Sequence, residues 1–230
     1  MSRLVLVAHG AGSTPDVALR LLAPALPRSV ELVAIDARGH IDRLVSRLSD
    51  AAAGHEIVLA AGISLGAHAV ALWAAHGASP DAILLVMPAW TGIPTDVAAL
   101  TARSARAVAE RGSEAMLVEM ALDPTLRDDW VLEEVTRGWS GYADPDLAHA
   151  LHSAAVSPAP TLKDLALITV ATAVVALDDD PLHPTDIARA WASTIRGAAL
   201  ELVPRYEPAS DRGALGRAGL RGLERASGSR

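Results

Sequence analysis

Short apolar runs that alternate with helical stretches constrain the fold of this chain more than any other feature of its sequence. Most of these runs are followed by turn residues and then by a pattern typical of a helix. Such alternation predicts βαβ units and a mostly parallel sheet. The runs are Leu4 to Ala8, Val30 to Ile35, Ile57 to Ala61, Ala82 to Met87, Leu165 to Leu177 and Ala198 to Val203. We therefore expect an α/β fold whose sheet is flanked by helices.

The composition agrees with a buried parallel sheet. Apolar residues make up 51% of the 230 residues, but aromatic residues only 3%, so alanine, valine and leucine must build the core. Parallel strands are covered by helices on both faces and are rich in such residues. A chain of this length forms one sizeable domain.

The alternation stops between Trp90 and Lys163, where helical periodicity continues without a convincing strand. The helical stretches are Thr95 to Arg111, Arg127 to Gly138 and Asp144 to Ala155. Asp-Pro pairs at 123–124 and 144–145 predict helix starts, because aspartate caps a helix and proline fits its first turn. We interpret residues 91–159 as a helical cap inserted into a core of residues 1–90 and 160–230. The tail from 212 to 230 predicts one further helix.

Charge and composition exclude several classes of partner. The net charge of −7 provides no basic surface for nucleic acid or anionic lipid. The chain has no cysteine and therefore no thiolate metal site or disulfide, and no apolar run reaches the length of a membrane span. We expect a cytoplasmic protein that acts on a small molecule without cofactor or metal; the sequence predicts no particular oligomeric state.

The stretch GISLG at 62–66 lies between a predicted strand and a predicted helix. Glycines two residues before and after a serine allow a sharp turn that exposes the hydroxyl of Ser64. A serine that merely caps the helix is the alternative, but it does not account for both glycines.

Three further stretches join this motif: LVAHGAG at 6–12, AIDARGH at 34–40 and ALDDDPLHP at 176–184. In this order, and together with GISLG, they make the chain similar to the α/β-hydrolase family over almost its whole length. The chain begins at the strand that would be the third in that family. The resemblance implies Ser64 as nucleophile, the N–H groups of Leu65 and Ala11 as oxyanion donors, and Asp180 as the acid of the triad. Asp178 and Asp179 are alternatives for the acid.

The chain departs from the family pattern after its last predicted strand. The family carries its general base, a histidine, in that loop, whereas residues 204–230 contain no histidine. Loss of the base costs about 10⁶-fold in turnover. His183, three residues after Asp180, is the candidate substitute for this base. The pair His149 and His152 on the cap and His68 on the helix after Ser64 are further candidates, while His9 and His40 belong to turns that hold loops in place.

Aromatic side chains of the cap region are candidates to line an apolar cavity above Ser64, or else to pack the cap against the core. The predicted pocket residues are His9, Gly10, Trp90, Trp130 and Trp139, with Tyr142 beside them.

Four functions remain open at this point. The first is a serine hydrolase of a small ester or thioester-type carbonyl compound, with an atypical or missing base. The second is a non-hydrolytic enzyme on the same scaffold, which catalyses elimination, cyclisation or decarboxylation. The third is a degenerate hydrolase that only binds a ligand. A dinucleotide-binding domain is the fourth, but the expected third glycine of its phosphate loop is missing.

Overall fold

The computed structural model describes residues 2–27, 29–124 and 129–228. Six parallel strands form one sheet in the order β2-β1-β3-β4-β5-β6. The strands are β1 (Arg3–Ala8), β2 (Glu31–Ile35), β3 (Glu56–Ile63), β4 (Ala82–Val86), β5 (Ala171–Leu177) and β6 (Ala199–Val203). The expected α/β fold is confirmed.

Helices cover both faces of the sheet. The helices of the core are α1 (Pro15–Leu22), α2 (Ile41–Ala52), α3 (Leu65–Ala75), α8 (Leu162–Ala166), α9 (Thr185–Thr194), α10 (Glu207–Ser210) and α11 (Ala214–Gly228), with a short 3-10 helix at Ala23–Ala25. One hydrophobic cluster lies between the sheet and α2, α3 and α9, and a second lies between the sheet and α1 and α11. Because the buried side chains are small, the helices approach the strands closely: a Cβ at Gly219 of α11 would lie 2.4 Å from the Leu84 side chain of β4.

The insertion between β4 and β5 is helical, as predicted. It contains α4 (Asp96–Arg111), α5 (Ser113–Leu122), α6 (Trp130–Trp139) and α7 (Asp144–Val156). Its two ends meet at a neck, where the N–H of Gly92 donates to the carbonyl of Pro160 and the N–H of Ala159 donates to the carbonyl of Gly92. We therefore keep residues 91–159 as the proposed cap.

Several helix boundaries in the structure differ from the predicted ones. Asp123 follows the last residue of α5 and does not start a helix, and the N-cap of α6 is Asp129, whose carboxylate accepts the N–H of Val131. A helix does begin at Asp144, but its N-cap is Ala143. The helix α5 was not anticipated, and the apolar run from Leu165 divides into the end of α8 and the strand β5. Arg127, the predicted start of a helix, lies outside the described residues.

The strand order places a crevice between β1 and β3. The chain proceeds from β1 to β2 on one side and then returns to β3 on the other, so the loops after β1 and β3 diverge to opposite faces. Ligands of open parallel sheets bind at such a point, beyond the carboxyl ends of the strands. Ala8 pairs with Gly62 at the ends of these strands, which brings His9 to Ala11 beside Ser64.

Within the described residues, no helix combines the length and the apolar character required to cross a membrane.

Candidate active site

Ser64 lies at a strained turn between β3 and α3. Its φ is 54° and its ψ is −116°, a backbone conformation that residues other than glycine rarely adopt. The flanking glycines are sterically required: a Cβ at Gly62 would lie 2.2 Å from the carbonyl oxygen of Gly66, and one at Gly66 would lie 2.3 Å from that of Ala8. The two glycines thus allow α3 to start directly against β1 and β3.

The Ser64 hydroxyl does not cap the helix that follows it. A capping serine has extended backbone angles and accepts an N–H from the first turn, whereas Ser64 has neither feature. Its side chain is partly exposed, and no other described residue hydrogen-bonds to its hydroxyl. The backbone is instead fixed by its own N–H, which donates to the carbonyl of Val86 at 2.9 Å.

Two backbone N–H groups beside Ser64 have no acceptor among the described residues. One belongs to Leu65, the first residue of α3, and the other to Ala11 in the turn after β1. A Cβ on Gly10 would meet the Ser64 Cβ at 3.2 Å, so the turn passes directly beside the serine. Both donors are thus available near the hydroxyl, as an oxyanion site requires.

The ring of His9 links loops beneath this turn. Its Nδ1 lies 2.8 Å from the carbonyl oxygen of Gly10, and its Nε2 accepts the N–H of Ala37 at 2.8 Å. Burial lowers the pKa of His9, so the neutral ring donates from Nδ1. With both nitrogens engaged and 1% of the residue exposed, the ring offers no group to a substrate. His9 therefore supports the turn. This supporting role replaces the prediction that its ring lines the pocket.

Asp180 and His183 form a hydrogen-bonded pair in the loop after β5. His183 Nδ1 lies 2.8 Å from Asp180 Oδ2, and the other carboxylate oxygen accepts the N–H of Leu182 at 2.9 Å. Burial raises the pKa of Asp180, but these hydrogen bonds, the charge of His183 and the nearby Arg205 together outweigh it, and the net pKa is lowered. Asp180 is therefore a carboxylate at neutral pH, and His183 Nε2 has no hydrogen-bond partner among the described residues.

His68 lies one turn after Ser64 on α3, and its ring is fully buried. Its Nε2 accepts the N–H of Ala89 at 3.0 Å, and the ring packs against Trp90 and Trp191, with centroid distances of 4.7 and 5.4 Å. Burial, with a smaller contribution from the charge of His183, lowers the pKa of His68 to about 3. The ring is neutral at neutral pH and cannot act as a general base there.

The remaining histidines lie away from Ser64. His149 and His152 are exposed on α7, and His55 and His76 are exposed near helix ends. His40 precedes α2 and lies 3.3 Å from Asp42. None of the described residues forms a cluster that could hold a metal ion.

The three tryptophans predicted to line the pocket are buried. Trp90 is 4% exposed against His68, while Trp130 is 6% exposed and donates from Nε1 to the carbonyl of Arg205. Trp139 is 5% exposed, and its Nε1 would lie 3.0 Å from a Cβ on Gly12. Trp130 and Trp139 thus pack the cap against the core, whereas Trp90 packs within the core; contact of the three side chains with a substrate stays a prediction.

The loop after β6 carries Arg205 where the family pattern expects a histidine. Its guanidinium donates twice to Asp129 Oδ2, at 2.7 and 3.2 Å, and once to the carbonyl of Asp179 at 3.2 Å. Arg205 thus joins the start of α6 to the acid loop. No local sequence pattern predicts this pair, because Asp129 and Arg205 are 76 positions apart and only the folded sheet brings them together.

The sequence matches no protein-family model and no curated protein. The structure is similar to MenH from S. aureus, with a TM-score of 0.76 and 16% identity over 98% of this chain and 94% of that one. It is also similar to a hydrolase from Pseudomonas aeruginosa, with a TM-score of 0.73 and 22% identity over 96% and 90% of the two chains. An enol-lactonase from Burkholderia xenovorans gives a TM-score of 0.68 and 19% identity, over 100% of this chain and 88% of that one. The protein has the α/β-hydrolase fold.

Proposed function

We propose that the protein is a serine hydrolase that cleaves a small ester or thioester-type carbonyl compound through an acyl-enzyme on Ser64. The observation that carries this proposal is the conformation of Ser64: its backbone is strained, the residue is partly exposed, and its hydroxyl neither caps α3 nor hydrogen-bonds to another described residue. Strain of this kind costs about 1–3 kcal/mol and clusters at functional sites. Similar solved structures include enzymes named as esterase and enol-lactonase.

In the proposed reaction, this chain supplies a group for each step. His183 Nε2 accepts the hydroxyl proton as Ser64 Oγ attacks the carbonyl carbon, while Asp180 holds the Nδ1–H and stabilises the imidazolium. The N–H groups of Leu65 and Ala11 bind the oxyanion. Collapse of the tetrahedral intermediate breaks the bond to the alcohol or thiol, which leaves with the proton from His183. Water then repeats the sequence and releases the acid.

The base therefore reaches the serine from the acid loop and not from the loop after β6. No hydrogen bond joins His183 to Ser64 among the described residues, and catalytic hydrogen bonds of unliganded enzymes often tighten only when substrate binds. The hydrogen bond from His183 Nδ1 to Asp180, which leaves Nε2 without a hydrogen-bond partner among the described residues, supports this assignment of the base.

A fluorophosphonate probe tests the proposal. We expect stoichiometric labelling of the wild type, none of Ser64→Ala, and unchanged labelling of Ser193→Ala, whose hydroxyl bonds within α9. We also expect His183→Gln to lower the labelling rate by at least about 10³-fold, as for the loss of a base. A folded wild type that resists the probe contradicts the proposal.

A non-hydrolytic reaction in the same site is the second candidate. The observation that favours it is that no other described residue hydrogen-bonds to the Ser64 hydroxyl. A hydroxyl that only polarises a carbonyl needs no base beside it. In that case turnover of the substrate persists in Ser64→Ala, whereas a hydrolase that forms an acyl-enzyme loses it.

A further inference from the structure

The turn that carries the Ala11 N–H is a separate element of the site. The N–H of Ser13 donates to the carbonyl of Gly10 at 3.3 Å, so Ala11 and Gly12 are the central residues of a β-turn. Gly12 has a φ of +62°, which is typical of the third position of a type II turn. The direction of the Ala11 N–H therefore depends on how the two ends of this turn are held.

The core holds the first end of the turn. The neutral His9 ring donates from Nδ1 to the carbonyl of Gly10 at 2.8 Å, and its other nitrogen is fixed by Ala37. This anchor is buried and belongs to the sheet domain.

The cap holds the second end. The hydroxyl of Tyr142, just after α6, donates to the carbonyl of Ser13 at 2.6 Å. The backbone of α6 contacts the same turn, because a Cβ on Gly138 would lie 3.0 Å from the carbonyl oxygen of Gly12. On the other side of the turn, Trp139 packs close to Gly12. The turn is thus clamped between core and cap.

We propose that Tyr142 is a positioning residue: its hydroxyl fixes the Ser13 carbonyl and thereby the Ala11 N–H, so that the oxyanion site is complete only while the cap is docked. This inference rests on the proposed hydrolase function. Burial raises the pKa of Tyr142 to about 12, so the group remains a neutral donor. Arg38, 5.5 Å from the ring centroid, holds the ring against the core.

Loss of one anchor of the turn misplaces one of two oxyanion donors without removing it. Removal of a donor costs about 10²–10³ in kcat, so we expect a misplaced donor to cost about tenfold. The loss falls on kcat with KM unchanged, because the donors act on the oxyanion and not on the bound ester. Acylation and deacylation use the same donors, so either step reveals the effect.

The experiment compares Tyr142→Phe with Thr136→Ala, which removes a hydroxyl that donates to the carbonyl of Leu132 within α6. We expect Tyr142→Phe to lower kcat for p-nitrophenyl acetate and the rate of fluorophosphonate labelling by the same factor of about ten. We expect Thr136→Ala to retain both rates. Thermal melting of each variant reports whether the fold is retained.

The possible outcomes separate the two proposals. A wild type that is not labelled contradicts the hydrolase function itself. A labelled wild type together with Tyr142→Phe at the wild-type rate overturns only the role of Tyr142, and so does a change in KM alone. If Tyr142→Phe does not fold, Trp139→Phe loosens the packing of the cap on Gly12 of the same turn, and an unchanged kcat in that variant overturns the inference that the oxyanion site is complete only while the cap is docked.

Discussion

Replacement of His68 by glutamine removes a buried ring whose pKa in the folded protein, about 3, lies well below the ordinary value of 6.5. Between these pH values the unfolded chain binds a proton at this position that the folded chain does not bind. The free energy of unfolding therefore decreases as the pH falls below 6.5. The stability that depends on the neutral His68 ring is fully present above pH 6.5 and is lost progressively as the pH falls toward 3.

The magnitude follows from the difference in pH. At about pH 5 the solution is 1.5 units below the ordinary pKa, and each unit is worth about 1.4 kcal/mol, so the wild type loses about 2 kcal/mol through His68 alone. This value does not depend on the exact folded pKa as long as that pKa lies well below 5. The glutamine oxygen can accept the N–H of Ala89 in place of Nε2, so the fold is retained at a cost of about 1–3 kcal/mol at neutral pH.

Urea unfolding at about pH 7.5 and about pH 5 measures this effect. We expect the wild type to lose about 2 kcal/mol more than His68→Gln between these conditions. Other titrating groups, including His9, are common to both proteins and cancel in the comparison. The control His55→Gln alters an exposed histidine and is expected to follow the wild type. If His68→Gln and the wild type lose equal stability, the ring titrates in the folded protein as it does in water, and its burial as a neutral group is refuted.

Three further substitutions test other parts of the structure. Ser64→Gly relieves the positive φ and should stabilise the protein by about 1 kcal/mol in urea while abolishing fluorophosphonate labelling; a less stable variant would contradict the strain. Gly66→Ala places a Cβ 2.3 Å from a backbone oxygen of β1 and should cost more than about 3 kcal/mol, whereas Gly228→Ala, in open space, should be nearly neutral in thermal melting. Arg205→Gln and Asp129→Asn, singly and combined, should give a coupling free energy of about 1–2 kcal/mol by double-mutant cycle, and additive effects would show that the pair does not hold the cap.

Local sequence was sufficient to predict the sheet and the turn at Ser64. The apolar runs indicate buried strands, because a strand of a covered parallel sheet needs apolar side chains on both faces. The turn at Ser64 was predictable because the residues that allow it lie only two positions away. Gly62 and Gly66 lack the Cβ atoms that would collide with the backbone. The family resemblance selected Asp180, and His183 was a candidate base because it lies three residues later; the structure shows the hydrogen bond between them.

The contacts between cap and core were decided by tertiary structure alone. Tyr142 and Ser13 are 129 positions apart, and Asp129 and Arg205 are 76 apart, so no local pattern relates them. The burial of His68 likewise depends on two tryptophans from other parts of the chain. A side chain's rotamer, solvation and pKa depend on neighbours that only the folded chain supplies, which is why the sequence predicts candidate residues for this site but not the partners that hold them.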